Sequence, residues 1–212
     1  MNEFNRTDRN KVKSAPIRAD YDKQTVYDIV DSGLICHVGF TDNDQPFVIP
    51  TTHVRIDDTI YVHGSTKSRL INHISHGNKV CITVTKVEGL VLARSVFHHS
   101  MNYRSAVMFG RGQMVTRKED KLKVFEALTE KLVSGRWADA RTPNQKEIDV
   151  TAIAAVKIED ASAKMRTGPP NDDADDYDLN VWAGEIPIEE IRNNPIADPK
   201  LNSEIELPDY LK

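Results

Sequence analysis

Cysteine is scarce. The 212 residues hold two, Cys36 and Cys81, each inside an apolar run. That excludes a disulfide framework and a thiolate metal centre, and it fits buried free thiols in a cytoplasmic protein. Long apolar runs are missing: none approaches the roughly 20 residues of a membrane span. The opening Met-Asn-Glu-Phe-Asn-Arg-Thr-Asp-Arg-Asn lacks the apolar core of a secretion signal. There is no basic excess either. The net charge is −4, which argues against a general nucleic-acid binder. Neither the Gly-x-x-x-x-Gly-Lys-Ser/Thr loop, nor the glycine-rich turn of a dinucleotide fold, nor a Gly-x-Ser-x-Gly elbow occurs. The seven histidines include His73 and His76, three apart on one helix face, and the adjacent His98 and His99, which on a strand point to opposite faces. None has partners at zinc spacing, so no metal is expected. No register of the acidic run from Asn171 to Asp178 fits a calcium loop, and a solvated loop is the reading adopted.

Hydrophobic residues at 39% and charged residues at 28% suffice for one core under a very polar surface. Residues 1–20 read as a flexible arm, residues 21–190 as one domain, and 191–212, with Pro195, Pro199 and Pro208, as an extended tail. Helical spacing predicts a short helix over Tyr21–Ser32 and a longer one from Thr116 to Leu132. In the second, Thr116 and Glu119 have the spacing of a capping box, and Leu122, Phe125, Leu128 and Leu132 form one stripe. Asn144 to Val150 reads as a helical turn. Short strand patterns cover Leu34–Phe40, Phe47–Arg55, Thr59–His63, Lys79–Val87, Leu90–Ser95, Ala106–Val115, Ala152–Ile158 and Ser162–Met165, with Glu88-Gly89 as a turn. Pro50 marks an edge, a bulge or a place where its strand parts from a neighbour. The absence of strand–helix alternation predicts a β-barrel with peripheral helices.

Two stretches carry chemistry. In Gly64-Ser65-Thr66-Lys67-Ser68-Arg69, a strand ends and a capped helix begins with cations in its first turn. Cations there oppose the helix dipole, and a bound phosphate resolves that conflict; the competing reading is an ordinary capped helix with solvated charges. From Ala93 to Gly110, two apolar runs flank a polar hinge. Arg104 and Ser105 sit where the second strand is expected to start, within reach of an anion, and Phe97 and Tyr103 either offer flat faces to a ring or are plain core aromatics. A phosphate-bearing aromatic cofactor accounts for both stretches.

The order of a strand with Pro50-Thr51 followed by Tyr61-Val62-His63-Gly64-Ser65-Thr66-Lys67-Ser68-Arg69 resembles the flavin-binding split barrels related to pyridoxamine 5′-phosphate oxidase, in the branch that includes the nitroimidazole-resistance proteins. Phe97-His98-His99-Ser100-Met101-Asn102-Tyr103-Arg104-Ser105, and Lys164-Met165-Arg166-Thr167-Gly168-Pro169-Pro170 through Val181-Trp182-Ala183-Gly184, are similar to a subfamily of flavin-nucleotide-binding proteins. The likeness spans roughly residues 20–190 as a pattern.

That resemblance implies a mainly β, split β-barrel of the FMN-binding type, and a homodimer with its cofactor sites at the interface. It implies phosphate contacts at Ser65, Lys67 and Ser68; a ring edge along Val48, Ile49, Pro50 and Thr51; and a pocket lined by His63 and Gly64. Trp182, and with it Arg166, resembles the residues that reach the flavin of the other subunit. Tyr103, Arg104 and Ser105 are added by their chemistry alone. The Arg-x-His pattern of the true oxidases is missing, since Arg192 is followed by Asn193 and Asn194. The expected function is therefore a flavin-dependent oxidoreductase acting on some other small molecule or electron donor, with neither nucleic acid nor membrane as partner. The alternative is a protein that holds FMN or haem without turning it over; His98 and His99 keep the haem branch open.

Overall fold

The computed structural model describes residues 2–212. Its elements are β1 (Ala19–Asp20), α1 (Lys23–Ser32), β2 (Ile35–Asp42), β3 (Gln45–Ile56), β4 (Thr59–Ser65), α2 (Arg69–Ser75), β5 (Lys79–Leu92), β6 (Ser100–Met114), α3 (Lys118–Leu132), α4 (Arg136–Asp139), α5 (Gln145–Val150), β7 (Thr151–Arg166) and β8 (Gly184–Pro187). The strands pair in the order β7–β4–β3–β2–β5–β6, and β6 closes back on β7, while β1 and β8 attach at the margins. All these pairings are antiparallel. The predicted mainly β split barrel with peripheral helices is the fold observed.

The ring is unevenly stitched. β2 pairs with β3 along its whole length, Ile35 opposite Thr52 through Asp42 opposite Gln45. β3 and β4 join only from His53 to Ile56, and β2 meets β5 only from His37 to Gly39. Residues 45–52 of β3 therefore have one ladder and one open edge. Pro46 and Pro50 share a parity, so the side of the backbone lacking their N–H groups suits that open edge.

The barrel interior holds Val38, Ile60, Val62, Ile82, Val84, Met108 and Val156, plugged by Val26, Ile29 and Val30 of α1 and by Leu70, Ile71 and Ile74 of α2. Both helices have a working cap. Asp22 accepts from the Thr25 amide at 3.0 Å, and Ser68 accepts from the Ile71 amide at 3.4 Å; a good N-cap is worth about 1 kcal/mol. A second cluster, Val54, Ile153, Val124 and Leu128, lies beneath α3.

Several local expectations are corrected. Glu88-Gly89 is no turn: β5 runs on to Leu92, and the register shifts between Val87 and Gly89. A bulge absorbs the turn-forming residues without ending the strand. Ala152–Ile158 and Ser162–Met165 likewise belong to one strand, β7, with a register shift opposite Phe109/Gly110. β6 runs straight through Gly110. A Cβ there would lie 2.0 Å from the Lys157 carbonyl oxygen, so glycine lets the two backbones close up. Because β6 starts at Ser100, Arg104 and Ser105 lie inside the strand and not at its start.

In α3 the expected capping box does not form. The Val115 amide still donates to Ile153 O at 2.9 Å, so the strand conformation reaches past Met114 and the helix begins at Lys118 with no side-chain cap. Glu119 instead pairs with Arg117 at 3.6 Å. The buried face is centred on Val124 and Leu128, while Leu132 is exposed. Lys131 turns inward there, toward Val30 O. A true capping box sits at Asn144 and Glu147, at the start of α5.

Residues 2–20, in the segment expected as a flexible arm, are anchored to the barrel at several points. Phe4 and Asn10 are buried, and Asn10 donates from Nδ2 to Asn5 O at 2.8 Å and Ala161 O at 2.9 Å. Arg9 pairs with Asp160 and Glu159. Polar residues thus dock this segment where an apolar pattern gave no signal. The C-terminal tail, expected to be extended, is exposed but turns over Asp198–Leu201 and Asn202–Ile205, and it is tied down at Tyr210, whose hydroxyl donates to Asp139 at 2.5 Å and accepts from Arg136 at 2.9 Å. Among the described residues no helix is long and apolar enough to cross a membrane.

Candidate functional site

The open edge of β3 borders a large cleft. A cavity of about 840 Å³ is walled by Gly39–Asn43, Pro46–Val48, Lys79–Cys81, Phe109 and Arg111, with His73 and Arg9 at its rim. A second cavity of about 370 Å³ is lined by Lys67, Arg69, Asn72, His73, His76, Asn78 and Asp42. The two share Asp42, His73 and Asn78, so they form one trench. Lys67, Arg69, Lys79 and Arg111 face a single carboxylate, Asp42, along it, while Arg9 is already paired with Asp160 and Glu159. That surplus of cations suits an anion. Phe40 and Phe47 stack at 5.5 Å, and His73 lies 4.6 Å from Phe40, which gives the trench flat apolar walls.

The β4–α2 turn reaches the trench through Lys67, with Arg69 of α2 beside it, while His63, Gly64, Ser65 and Ser68 are not among the trench walls. Ser65 accepts from the Lys67 amide at 3.2 Å, and the Ser68 amide donates to Ser65 O at 2.9 Å. Both serine hydroxyls act as acceptors in these turns, so their own protons remain for a ligand. Gly64 packs this turn tightly: an added Cβ would meet Ile71 Cγ1 at 3.3 Å. Lys67 is exposed, and its Nζ makes no hydrogen bond among the described residues. Arg69 stacks over Phe47 at 4.3 Å. His63 meets solvent on one side, and the protein packed around the rest of it pushes the imidazole below its ordinary value, favouring the neutral ring. Val48 is 68% exposed, with its backbone on the open edge; Ile49 packs against the core, and Pro50 and Thr51 continue the edge.

The remaining predicted residues lie elsewhere. Lys79 and Cys81 at the start of β5 line the trench, whereas Leu92 at its end pairs with Gly184, next to the Trp182 loop. A 14-residue strand covers about 45 Å at about 3.3 Å per residue. Along β5 this run separates the trench wall at Lys79 and Cys81 from the Trp182 loop. Trp182 is 66% exposed, its ring folded back over Gly184. Arg166 is engaged structurally: it donates to Asn102 Oδ1, to Gly168 O at 2.7 Å and to Pro169 O at 2.8 Å. Arg104 donates to Glu88 at 2.6 Å, and Ser105 to Lys164 O at 3.2 Å. Tyr103 sits between Val87 and Arg166.

The turn from β5 to β6 also lies at the Trp182 end. Val96 and Phe97 are 84% and 88% exposed, so Phe97 is not a core aromatic. His98 Nε2 lies 3.3 Å from Asp173, and ligand atoms of His98, Asp173 and Asp176 lie within 4.8 Å of one another. His99 Nδ1 stands 3.1 Å from the carbonyl oxygen of Ser95. Leu90, Met101 and Ile186 are register neighbours across β5, β6 and β8, and all three are exposed, so an apolar row flanks the turn.

Sequence reasoning missed Arg9, Phe40, Phe47, Lys79 and Arg111 on the trench walls, which come from five separate segments. It read Cys81 as buried, yet Cys81 is half-buried on a trench wall, where β5 and β6 are not covered by a helix. Asp172 corrects the reading of the acidic run as solvated: its side chain is 0% exposed because it accepts hydrogen bonds from Arg94 and Ser95.

No curated protein matches the chain. Among solved structures, the flavocytochrome Anf3 from Azotobacter vinelandii is 38% identical with a TM-score of 0.91, covering 97% of this chain and 95% of its own. The FAD and heme binding protein from Mycobacterium smegmatis is 28% identical with a TM-score of 0.87, covering 91% and 95%. At 22% identity and a TM-score of 0.60, a candidate 5-nitroimidazole antibiotic resistance protein from Bacteroides thetaiotaomicron shares the fold, over 69% of this chain and 85% of its own. The family model for pyridoxamine 5′-phosphate oxidase matches residues 22–165. The chain belongs to the pyridoxamine 5′-phosphate oxidase family.

Proposed function

We propose that the protein is an oxidoreductase that binds a flavin nucleotide and haem and works as a dimer of two copies. The observation that carries this reading is the division of the site. A cationic trench with an open strand edge occupies one end of the barrel. An exposed histidine turn with Phe97 and Trp182 occupies the other. A two-fold dimer brings the trench of one copy to the Trp182 end of its partner, and each half then supplies what the other lacks. The flavocytochrome and the FAD- and haem-binding relative support the cofactor pair.

The chain's residues fit both groups. Ser65, Lys67 and Ser68 hold the flavin phosphate, and the Val48–Thr51 edge takes the ring through backbone groups that no strand uses. FMN satisfies the Ser65–Ser68 turn. The basic cavity beyond it, with Arg69, His73 and His76, favours the second phosphate and adenosine of FAD. For haem, His99 offers Nε2 beside exposed Val96 and Phe97. When bound, the flavin supplies hydride and single-electron chemistry, and the protein supplies orientation and electrostatics. The tail carries no Arg-x-His pattern, which speaks against pyridoxamine phosphate and for another small molecule as donor. Two free cysteines agree with a cytoplasmic setting.

Titration of the purified protein with FMN, FAD and haem tests this. Saturable flavin binding with a shifted visible spectrum, and a Soret band lost in His99→Ala, are expected. Failure to bind either flavin overturns the reading.

A further inference from the structure

The turn that presents the two histidines is held by a carboxylate remote in sequence. Asp172 accepts from the Arg94 amide at 3.0 Å and from the Ser95 amide at 3.2 Å through Oδ1, and from Arg94 Nη1 at 3.2 Å through Oδ2. Burial alone would push this carboxyl up. The two amides and the guanidinium outweigh that and hold it below the usual carboxylate range. Arg94 also lies over the Tyr177 ring at 4.8 Å, so the 172–178 loop grips the turn at two points.

Ser95 passes this constraint on. Its side chain accepts from the Phe97 amide at 3.3 Å, and its carbonyl accepts from the His98 amide at 3.1 Å. The same carbonyl lies 3.1 Å from His99 Nδ1. A carbonyl oxygen cannot donate, so that contact requires a proton on Nδ1. The Ala93 amide, 3.4 Å from the same nitrogen, is the longer and weaker contact and yields to it. With Nδ1 protonated, Nε2 carries the lone pair and faces outward from an exposed residue. A metal-bound imidazole has this arrangement, its second nitrogen donating to a carbonyl that fixes tautomer and ring orientation.

We infer that Asp172 is a positioning residue which, through Ser95, locks His99 in the Nδ1–H tautomer and turns its Nε2 out as a ligand atom. What that atom ligates rests on the haem reading above; the lock itself does not. His98 is held differently, with Nε2 against the exposed Asp173, and is not presented in this way.

Two measurements test the inference. The first is ¹⁵N NMR of the histidine side chains in cofactor-free protein, for the wild type, Asp172→Asn and Asp172→Glu. The wild type is expected to show His99 as the Nδ1–H form, and Asp172→Asn to shift it toward the Nε2–H form that free imidazole prefers, with His98 unchanged. Asp172→Glu should recover part of the wild-type signature. A wild-type His99 in the Nε2–H form overturns the inference even if the variants fail to fold, as does an Asp172→Asn spectrum identical to the wild type. The second is haem titration, where Asp172→Asn should weaken binding about tenfold or more and alter the Soret position. If the tautomer results hold and the wild type takes up no haem, the haem reading falls and the lock stands.

Discussion

The carbonyl oxygen of Val30 accepts a hydrogen bond from His53 Nε2 at 2.9 Å. Val30 lies in the last turn of α1, where carbonyls have no intrahelical partner. Lys131 Nζ reaches the same oxygen at 3.2 Å and lies 3.0 Å from His53 Nε2. Two donors from β3 and α3 therefore cap α1 from inside the protein. This is why Lys131, and not Leu132, turns inward. Burial, reinforced by the neighbouring Lys131, pushes His53 down to about 4, and burial pushes Lys131 down to about 8.

A pH dependence of stability follows. Between the ordinary imidazole value of 6.5 and about 4, the unfolded chain binds a proton at this position that the folded chain refuses. Stability therefore falls as pH drops through that window, by on the order of 1–3 kcal/mol. Lys131 acts in the same sense between about 8 and 10.5, so stability rises with pH there. His53→Gln keeps a donor for Val30 O and removes the titration. Denaturant midpoints measured from pH 4 to 7 should flatten in this variant; an unchanged slope would assign the dependence to other groups.

Lys67→Ala removes the exposed cation at the trench end. Flavin affinity should fall by about 1.5–3 kcal/mol, the scale of a charged hydrogen bond, with thermal stability unchanged. Isothermal titration reads both the loss and its absence. An unchanged dissociation constant would move the phosphate along the trench toward Arg69 and Arg111.

The composite site predicts complementation. Lys67→Ala damages the trench, and Trp182→Ala damages the opposite end. Co-refolded, the two variants form mixed dimers in which one site takes both lesions and the other takes none. Flavin binding with wild-type affinity should reappear on mixing. If the mixture binds no better than either variant alone, one chain holds the whole site.

Gly110→Ala drives a Cβ against the backbone of β7, 2.0 Å from Lys157 O. Neither backbone is able to yield as a flexible side chain would, so a loss of at least about 1–3 kcal/mol is expected, read as a lowered melting temperature. An unaffected melting temperature would mean that the bulge at this point relaxes freely.

How far the sequence reads depends on how local the cause is. Alternation in Lys79–Val87 and helical spacing in α1 name their elements because burial on one face is written into neighbouring residues. The Ser65–Arg69 turn is legible for the same reason, since cap, cation and helix start are contiguous. Asp172 was invisible because its partners, Arg94 and Ser95, are far away in the chain, and an acidic run looks solvated until an amide is found pointing at it. The trench walls are not legible in the sequence because they are assembled from β2, β3, α2, β5, β6 and the single N-terminal residue Arg9. Glu88-Gly89 misled because turn-forming residues also make bulges.

Flavin and haem, on the reading proposed, share one redox unit across two copies. The direct measurement is anaerobic photoreduction of the flavin in protein loaded with both groups, followed at the Soret and flavin bands. The prediction is a Soret shift to the reduced form as the flavin band recovers, lost in His99→Ala. Flavin that stays bleached beside an unchanged ferric Soret band would contradict the account.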